Sequence, residues 1–340
     1  MLRRGSGTPT LEEVAALAGV GRGTVSRVIN NASGVRDSTR RAVRQAIEEL
    51  GYVPNLAARS LAGRRAGAVA LVMTKTDWRL FGEPFFSEVV RAVGEALAEA
   101  KLQLLLTLAR TDDERQRLVE YVRGGRVDGV LLMSVPVEDA LPDMLAGARL
   151  PTVLLGRRSG DERVTYVDTD NVGGARAAVG RLAGRGRRVV ATITGPPEMY
   201  VAECRLRGYR EALADAGLPE LPSLVAEGDF TEASGRRAMV GLLERHPEVD
   251  AVFAASDSMA AGALDALRAA GRRVPEDVAV VGFDDFELAE RTEPPLTTVR
   301  QPMGEIGRTV VRLLLEEMER PEVAWRHVIL RTRLVVCGSA

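Results

Sequence analysis

The sequence predicts a small all-α head followed by an α/β body of two doubly wound halves. Three observations carry this. Residues 1–66 hold eleven Arg and five acidic residues, a formal +6, in a 340-residue chain of net charge −1, which leaves −7 for the rest. Residues 10–50 show helical spacing of apolar residues, broken by a tight glycine turn. From residue 67, short apolar runs alternate with helical patterns, the texture of parallel sheets with helices between the strands.

The first helix begins at Thr10-Leu-Glu-Glu13, a capping box in which hydroxyl and carboxylate each take a backbone N–H. Leu11, Val14, Ala15 and Ala18 share one face, and the two alanines let a second helix come close. Gly19 ends the helix in the left-handed conformation, and Val20 follows as a buried plug. A second helix starts near Gly21 or Arg22 and runs to about Asn30. It buries Val25 and Val28 and points Arg22 and Arg27 outward. This is helix–turn–helix spacing. The second helix would lie in a DNA major groove, where Arg makes bidentate contact with guanine. Gly21 and Gly23 leave room for close approach, and Thr24 and Ser26 suit phosphate contacts. A basic head on an acidic body agrees with a polyanion-binding module. A third helix, residues 37–50, turns Val43, Ala46, Ile47 and Leu50 inward, and Gly51 stops it. A two-turn helix after Pro54 is marginal alone and is expected to order only when something docks it.

In the body, AVALVM (68–73), LQLLLTL (102–108), DGVLLM (128–133) and TVLLG (152–156) are expected strands. RVVATITG (188–195), AVFAAS (251–256) and VAVVGFDD (278–285) form the second set. Two such halves place binding residues at strand ends, around a cleft.

No HExxH, GxSxG or GxxxxGK[ST] occurs, and the glycines at 19–23 follow a helix rather than a strand. No metal, cofactor or enzymatic activity is therefore expected. The strand ends carry aromatic and charged residues instead: Trp78, Phe81 and Phe85 after the first strand, Asp168 and Asp170 after another, then Arg205, Phe230, Asp257 and Asp284. Sugars stack C–H faces on aromatic rings and pair hydroxyls with carboxylates and guanidinium groups. Asp257 could instead cap a helix, and Phe85, Phe86 and Phe283 could be core. Cys204 and Cys337 are expected as buried free thiols in a reducing compartment. No run of 18 uncharged apolar residues occurs, and MLRRGSGTPT lacks an apolar signal core, so no membrane span and a cytoplasmic location are expected.

TLEEVAALAGV, TVSRVIN and TRRAVRQAIEELGYVPNLAARSLA are similar to the DNA-binding head and hinge of the LacI family of bacterial repressors. VAVVGFDD and EPPLTTVRQP extend the resemblance to that family's effector domain, which looks like a periplasmic sugar-binding protein. The resemblance implies a homodimer on a pseudo-palindromic operator in double-stranded DNA. It implies DNA contacts at Thr10, Gly21, Arg22, Gly23, Thr24, Ser26, Arg27, Asn30 and Tyr52. Asn55, Ala58 and Arg59 would lie along the minor groove, with Leu61 as a wedge between base pairs. It implies effector contacts at Glu83, Arg157, Asp168, Arg205, Phe230, Asp257 and Asp284, with Trp78, Phe81 and Phe85. It divides the chain into 1–52, a hinge at 53–66, and a body at 67–338. In the body, about 67–168 with 300–328 forms one lobe, and about 169–299 with 329–338 the other. There are four departures. Gly21 and Arg36 stand where the family commonly caps helices with Ser, Ser256 where Asn is common, and Gly156-Arg157 where Asp-Arg is common.

The loops FGEPFF and GDFT look like those of the actinobacterial cellobiose-responsive subgroup, the CelR/CebR type. That likeness implies a repressor of sugar-utilisation genes, released by cellobiose or a related β-gluco-oligosaccharide. Another sugar, a nucleobase corepressor, or a sugar-binding protein without a regulatory role remain the alternatives.

Overall fold

The computed structural model describes residues 9–29, 32–52, 65–74, 82–320 and 324–340. Contacts divide it into two units, Met1–Ala66 and Gly67–Ala340.

The first unit holds α1 (Leu11–Leu17), α2 (Arg22–Ile29) and α3 (Asp37–Leu50). The capping box is present in full: Glu13 accepts the Thr10 N–H at 2.7 Å, and Thr10 Oγ accepts the Glu13 N–H at 3.3 Å. Gly19 takes φ +65°, which lets the chain reverse at no side-chain cost. Val14, Ala15, Val25, Val28, Val43 and Ala46 form the core of the three helices. Val20, expected as a buried plug, is half-buried against it. Arg36 occupies the N-cap of α3 without a side-chain capping bond.

The second unit has two lobes. The first contains β1 (Ala68–Met73), α4 (Pro84–Glu99), β2 (Gln103–Leu108), α5 (Asp112–Arg123), β3 (Gly129–Met133), α6 (Leu141–Gly147), β4 (Thr152–Leu155) and β5 (Thr165–Thr169). The second contains α7 (Asn171–Gly184), β6 (Val190–Thr194), α8 (Tyr200–Asp215), β7 (Val225–Glu227), α9 (Glu232–Arg245), β8 (Ala251–Ala254), α10 (Asp257–Ala269), β9 (Ala279–Val281), α11 (Glu287–Arg291) and β10 (Thr298–Arg300). The chain then returns to the first lobe for α12 (Met303–Glu319) and β11 (His327–Leu330), and ends in the second with β12 (Arg333–Val335).

The first lobe is a parallel sheet of order β11-β5-β4-β3-β1-β2, and the second a parallel sheet of order β7-β6-β8-β9. Each sheet has an apolar core on both faces. β3 is therefore buried throughout, β1 from Val69 onward, and both read as continuous apolar runs. β10 and β12 pair antiparallel beside the second lobe.

Two crossings differ from the expected boundaries. Ile329 and Leu330 pair with Asp168 and Thr169, so the first lobe extends through Leu330. Arg300 pairs with Arg333, so the preceding crossing falls between residues 300 and 303. Asp168 lies inside β5 rather than beyond it. Cys204 is a buried free thiol, but Cys337 is exposed, because it follows β12 at the edge of the lobe.

Candidate functional site

In the head, Gly21 just before α2 and Arg22, Gly23 and Arg27 within it are exposed to solvent, while Val25 and Val28 are buried. Thr24 and Ser26 are half-buried flanks. Arg22 pairs with Glu12 of α1 at 3.0 Å, both ends well exposed. A pair so exposed is worth little and yields readily to a phosphate. Arg27 Nε donates to the Gly23 carbonyl at 3.4 Å, which lays its stem along the helix. Thr10 is occupied as the α1 cap, and Tyr52 packs half-buried on the head core. Asn30, Asn55, Ala58, Arg59 and Leu61 lie outside the described residues, as do Trp78 and Phe81 of the body.

In the body, a cavity lies between the lobes. Glu83, Phe85, Arg157, Asp168, Arg205, Phe230 and Asp284 all line it. They arrive from separate places: Glu83 is the N-cap of α4, Arg157 follows β4, Asp168 is on β5, and Arg205 is inside α8. Phe230 has φ +69°, and its ring lies over Gly195, where an added Cβ would come within 2.1 Å of Cζ. Only glycine at 195 leaves that ring its place.

Along the cavity wall runs a circuit of hydrogen bonds that one ion pair closes. Arg157 Nε pairs with Asp168 Oδ2 at 3.0 Å. Asp168 Oδ1 accepts from the Thr169 amide at 2.8 Å and from Asn171 Nδ2 at 3.0 Å. Asn171 Oδ1 accepts from Arg205 Nε at 2.9 Å. The Arg205 guanidinium lies 3.5 Å from Asp284 and 3.7 Å above the Phe283 ring centre. Asp284 Oδ1 accepts from Gln301 Nε2 at 2.6 Å, and Gln301 Oε1 accepts from the Thr169 hydroxyl at 2.9 Å. The circuit spans the first and second crossings between the lobes, so it sits at their hinge.

Burial dominates its electrostatics. It pushes Asp284 up to about 6, against the opposing pull of Arg205, and raises Asp168 despite Thr169 and Arg157. Burial also lowers Arg205, offset by Asp284 and Asp168. Buried charges of this kind persist because they are paired and hydrogen-bonded. The arrangement offers a sugar fixed acceptors and donors beside aromatic and aliphatic walls.

The structure departs from expectation at Asp257, which is 1% exposed and not on the cavity wall. Its carboxylate accepts the N–H groups of Asp285 and Phe286 at 2.7 and 3.1 Å and the Thr298 hydroxyl at 2.5 Å. It stitches the β9 turn to β10, and the cavity wall there is Ser256, the N-cap of α10. Phe85 and Phe86 line the cavity while packing on the first lobe's core, whereas Phe283 is wholly buried under Arg205. Asn171, Thr169, Gln301 and Tyr200 also line the cavity. Asn171 was not singled out from the sequence, although it directly follows Asp170 just beyond β5. Gln301 and Tyr200 carried no local signal. No group of three or more His, Cys, Asp or Glu among the described residues is placed to hold a metal, and none of their helices is long and apolar enough to cross a membrane.

The family model for bacterial regulatory proteins of the lacI family matches residues 10–55, and that for a periplasmic binding protein-like domain matches residues 179–340. The HTH-type transcriptional regulator CelR of Thermobifida fusca is 53% identical over 333 residues, 97% of this chain and 98% of that protein. The chain belongs to the LacI family. Among solved members, a CelR–cellobiose complex is 51% identical, with a TM-score of 0.77 over 98% of this chain and 100% of that one. The lac repressor dimer bound to operator and an anti-inducer is 28% identical, with a TM-score of 0.87 over 98% and 99%. The head and the two-lobed body are thus those of the family.

Proposed function

We propose that this chain is a DNA-binding transcriptional repressor of a sugar-utilisation operon, released from its operator by cellobiose or a related β-gluco-oligosaccharide. The observation that carries the reading is the buried circuit through Asp168, Asn171, Arg205, Asp284 and Gln301 beside Phe230, in a chain 51% identical to a CelR solved with cellobiose. Sugar hydroxyls bond Asp284, Arg205, Asp168, Arg157 and Glu83, and a pyranose face lies on Phe230 or Phe85. Trp78 and Phe81 suit a second ring.

The head, 1–52, reads the major groove with Arg22 and Arg27 of α2 over guanines, and Gly21 and Gly23 let the helix sit close. Thr10, Thr24, Ser26, Asn30 and Tyr52 contact the backbone. The hinge, 53–66, lies in the minor groove with Asn55, Ala58 and Arg59 along it. Leu61 wedges a base step, a cost of a few kcal/mol offset by contacts on bent DNA. Two copies bind one pseudo-palindrome, and the body, 67–338, takes the sugar. The protein acts in the cytoplasm, by binding and not by catalysis.

Sugar in the cleft favours the closed lobes, and closure separates the paired hinges. The coupling is the difference in sugar affinity between the two states, ~1–3 kcal/mol, or about 5–150-fold in operator affinity. DNA selected from a random pool by the full chain, titrated with and without cellobiose, tests this. Unchanged affinity across a panel of sugars rejects the inducer role.

A further inference from the structure

Beside the Arg157 and Tyr200 wall of the cavity the two lobes touch directly. The Val137 N–H of the first lobe donates to the Glu198 carbonyl of the second at 2.9 Å. A Cβ added at Gly160 of the first lobe would lie 3.3 Å from the Tyr200 hydroxyl of the second. Between these, the Arg157 guanidinium stands 5.3 Å from the Tyr200 ring centre and 5.5 Å from that of Tyr166. Arg157 and Tyr166 belong to the first lobe, and Tyr200 opens α8 of the second. The contact at Tyr200 is therefore made across the cleft.

Arg157 is held from two other sides. Asp168 pairs with it at 3.0 Å, and the Tyr166 hydroxyl accepts from Nη1 at 3.4 Å. Its side chain is 18% exposed. What Tyr200 offers Arg157 is the face of its ring. A guanidinium over an aromatic face, partly shielded from water, is attracted by the ring quadrupole. A planar cation can hold an aromatic face and a carboxylate together. When the lobes part, Arg157 keeps Asp168 and Tyr166 but loses Tyr200.

We propose that Tyr200 is a positioning residue for effector binding: its ring clasps Arg157 across the cleft and holds the lobes closed on a bound sugar. This rests on the cellobiose reading above. The clasp makes no demand on the sugar's stereochemistry. It strengthens binding of every sugar that fits the closed cavity, by the same factor.

The test is calorimetric titration of the full chain with cellobiose, comparing Tyr200→Phe, Tyr200→Ala, Arg157→Ala and the double variant Arg157→Ala/Tyr200→Ala. Tyr200→Phe keeps the ring and is expected within about twofold of the parent Kd. Tyr200→Ala is expected to raise Kd roughly tenfold, the scale of one shielded cation–π contact. The double variant should bind no more weakly than Arg157→Ala, because the two groups act through one another. Should Tyr200→Ala fail to fold, Tyr200→Leu keeps the bulk without the π face and is expected to show the same loss. Tyr200→Ala or Tyr200→Leu binding like the parent overturns the proposal. So does Tyr200→Phe binding as weakly as the alanine variant, or independent losses that multiply in the double variant. A parent chain that takes up no cellobiose overturns the effector reading and the clasp with it. A parent that binds, alongside an alanine variant that binds equally, overturns the clasp alone.

Discussion

Gln301 bridges Thr169 and Asp284, accepting from the Thr169 hydroxyl at 2.9 Å and donating to the Asp284 carboxylate at 2.6 Å. Thr169 ends β5 at the first crossing, and Gln301 lies on the second. One amide therefore ties two hinge strands to an acid on the cavity wall. Gln301→Ala leaves both partners buried and short of a bond, at a cost of about 1–3 kcal/mol for each buried group left unmet. The body should melt at lower temperature, and cellobiose affinity should fall. A variant that melts and binds like the parent would show that water replaces the amide without loss.

Two buried acids give the body a pH dependence. Burial raises Asp284 to about 6 and raises Asp257 as well, with Asp284 repelling it. Between the ordinary 3.8 and about 6, the folded chain keeps a proton on Asp284 that the unfolded chain has released. The stability this proton contributes is full below the ordinary value and is lost as pH rises through about 6. The melting temperature attributable to these groups should thus fall from pH 4 to pH 7. Asp284→Asn, which cannot titrate, should melt with a flatter slope across that window. An unaltered slope would place the titration elsewhere.

Gly195 gives the Phe230 ring its seat, since a Cβ there would reach within 2.1 Å of it. Gly195→Ala must displace the ring from the cavity wall. Cellobiose Kd should rise on the order of tenfold, the equivalent of one lost aromatic face. Operator affinity without sugar should stay at the parent value. Parent-like sugar binding would remove Phe230 from the list of contacts.

Much of this fold is legible in local sequence. The head is, because a capping box, a left-handed glycine and apolar residues at helical spacing are all short-range signals, and each appears where it was read. β1, β3 and β8 are, because burial on both faces demands unbroken apolar runs. β7 and β12 are three residues each and depend on a neighbour for their pairing, so nothing local marks them. The site is legible residue by residue but not as a circuit. Thr169 and Gln301 stand 132 positions apart, and only the chain's return to the first lobe joins them. Asp257 shows the limit from the other side: an acid at a strand end looks like a ligand, yet here the amides of the next turn consume it.

Gly23 sits in the first turn of α2 with an ordinary φ, and a Cβ added there meets nothing within 4 Å. Nothing inside the head requires a glycine, and a helix pays up to about 1 kcal/mol for one relative to alanine. The open space faces outward beside Arg22 and Arg27, where DNA would lie. Gly23→Ala should therefore raise the melting temperature of the head. It should also weaken binding to the selected operator several-fold, while leaving salt-sensitive, non-specific binding intact, because phosphate contacts set the latter. Melting curves and titrations on selected and random duplexes check both halves. A stabilised head that binds its operator as tightly as before would mean that the duplex does not approach this helix at residue 23, and would move the close contact to another face.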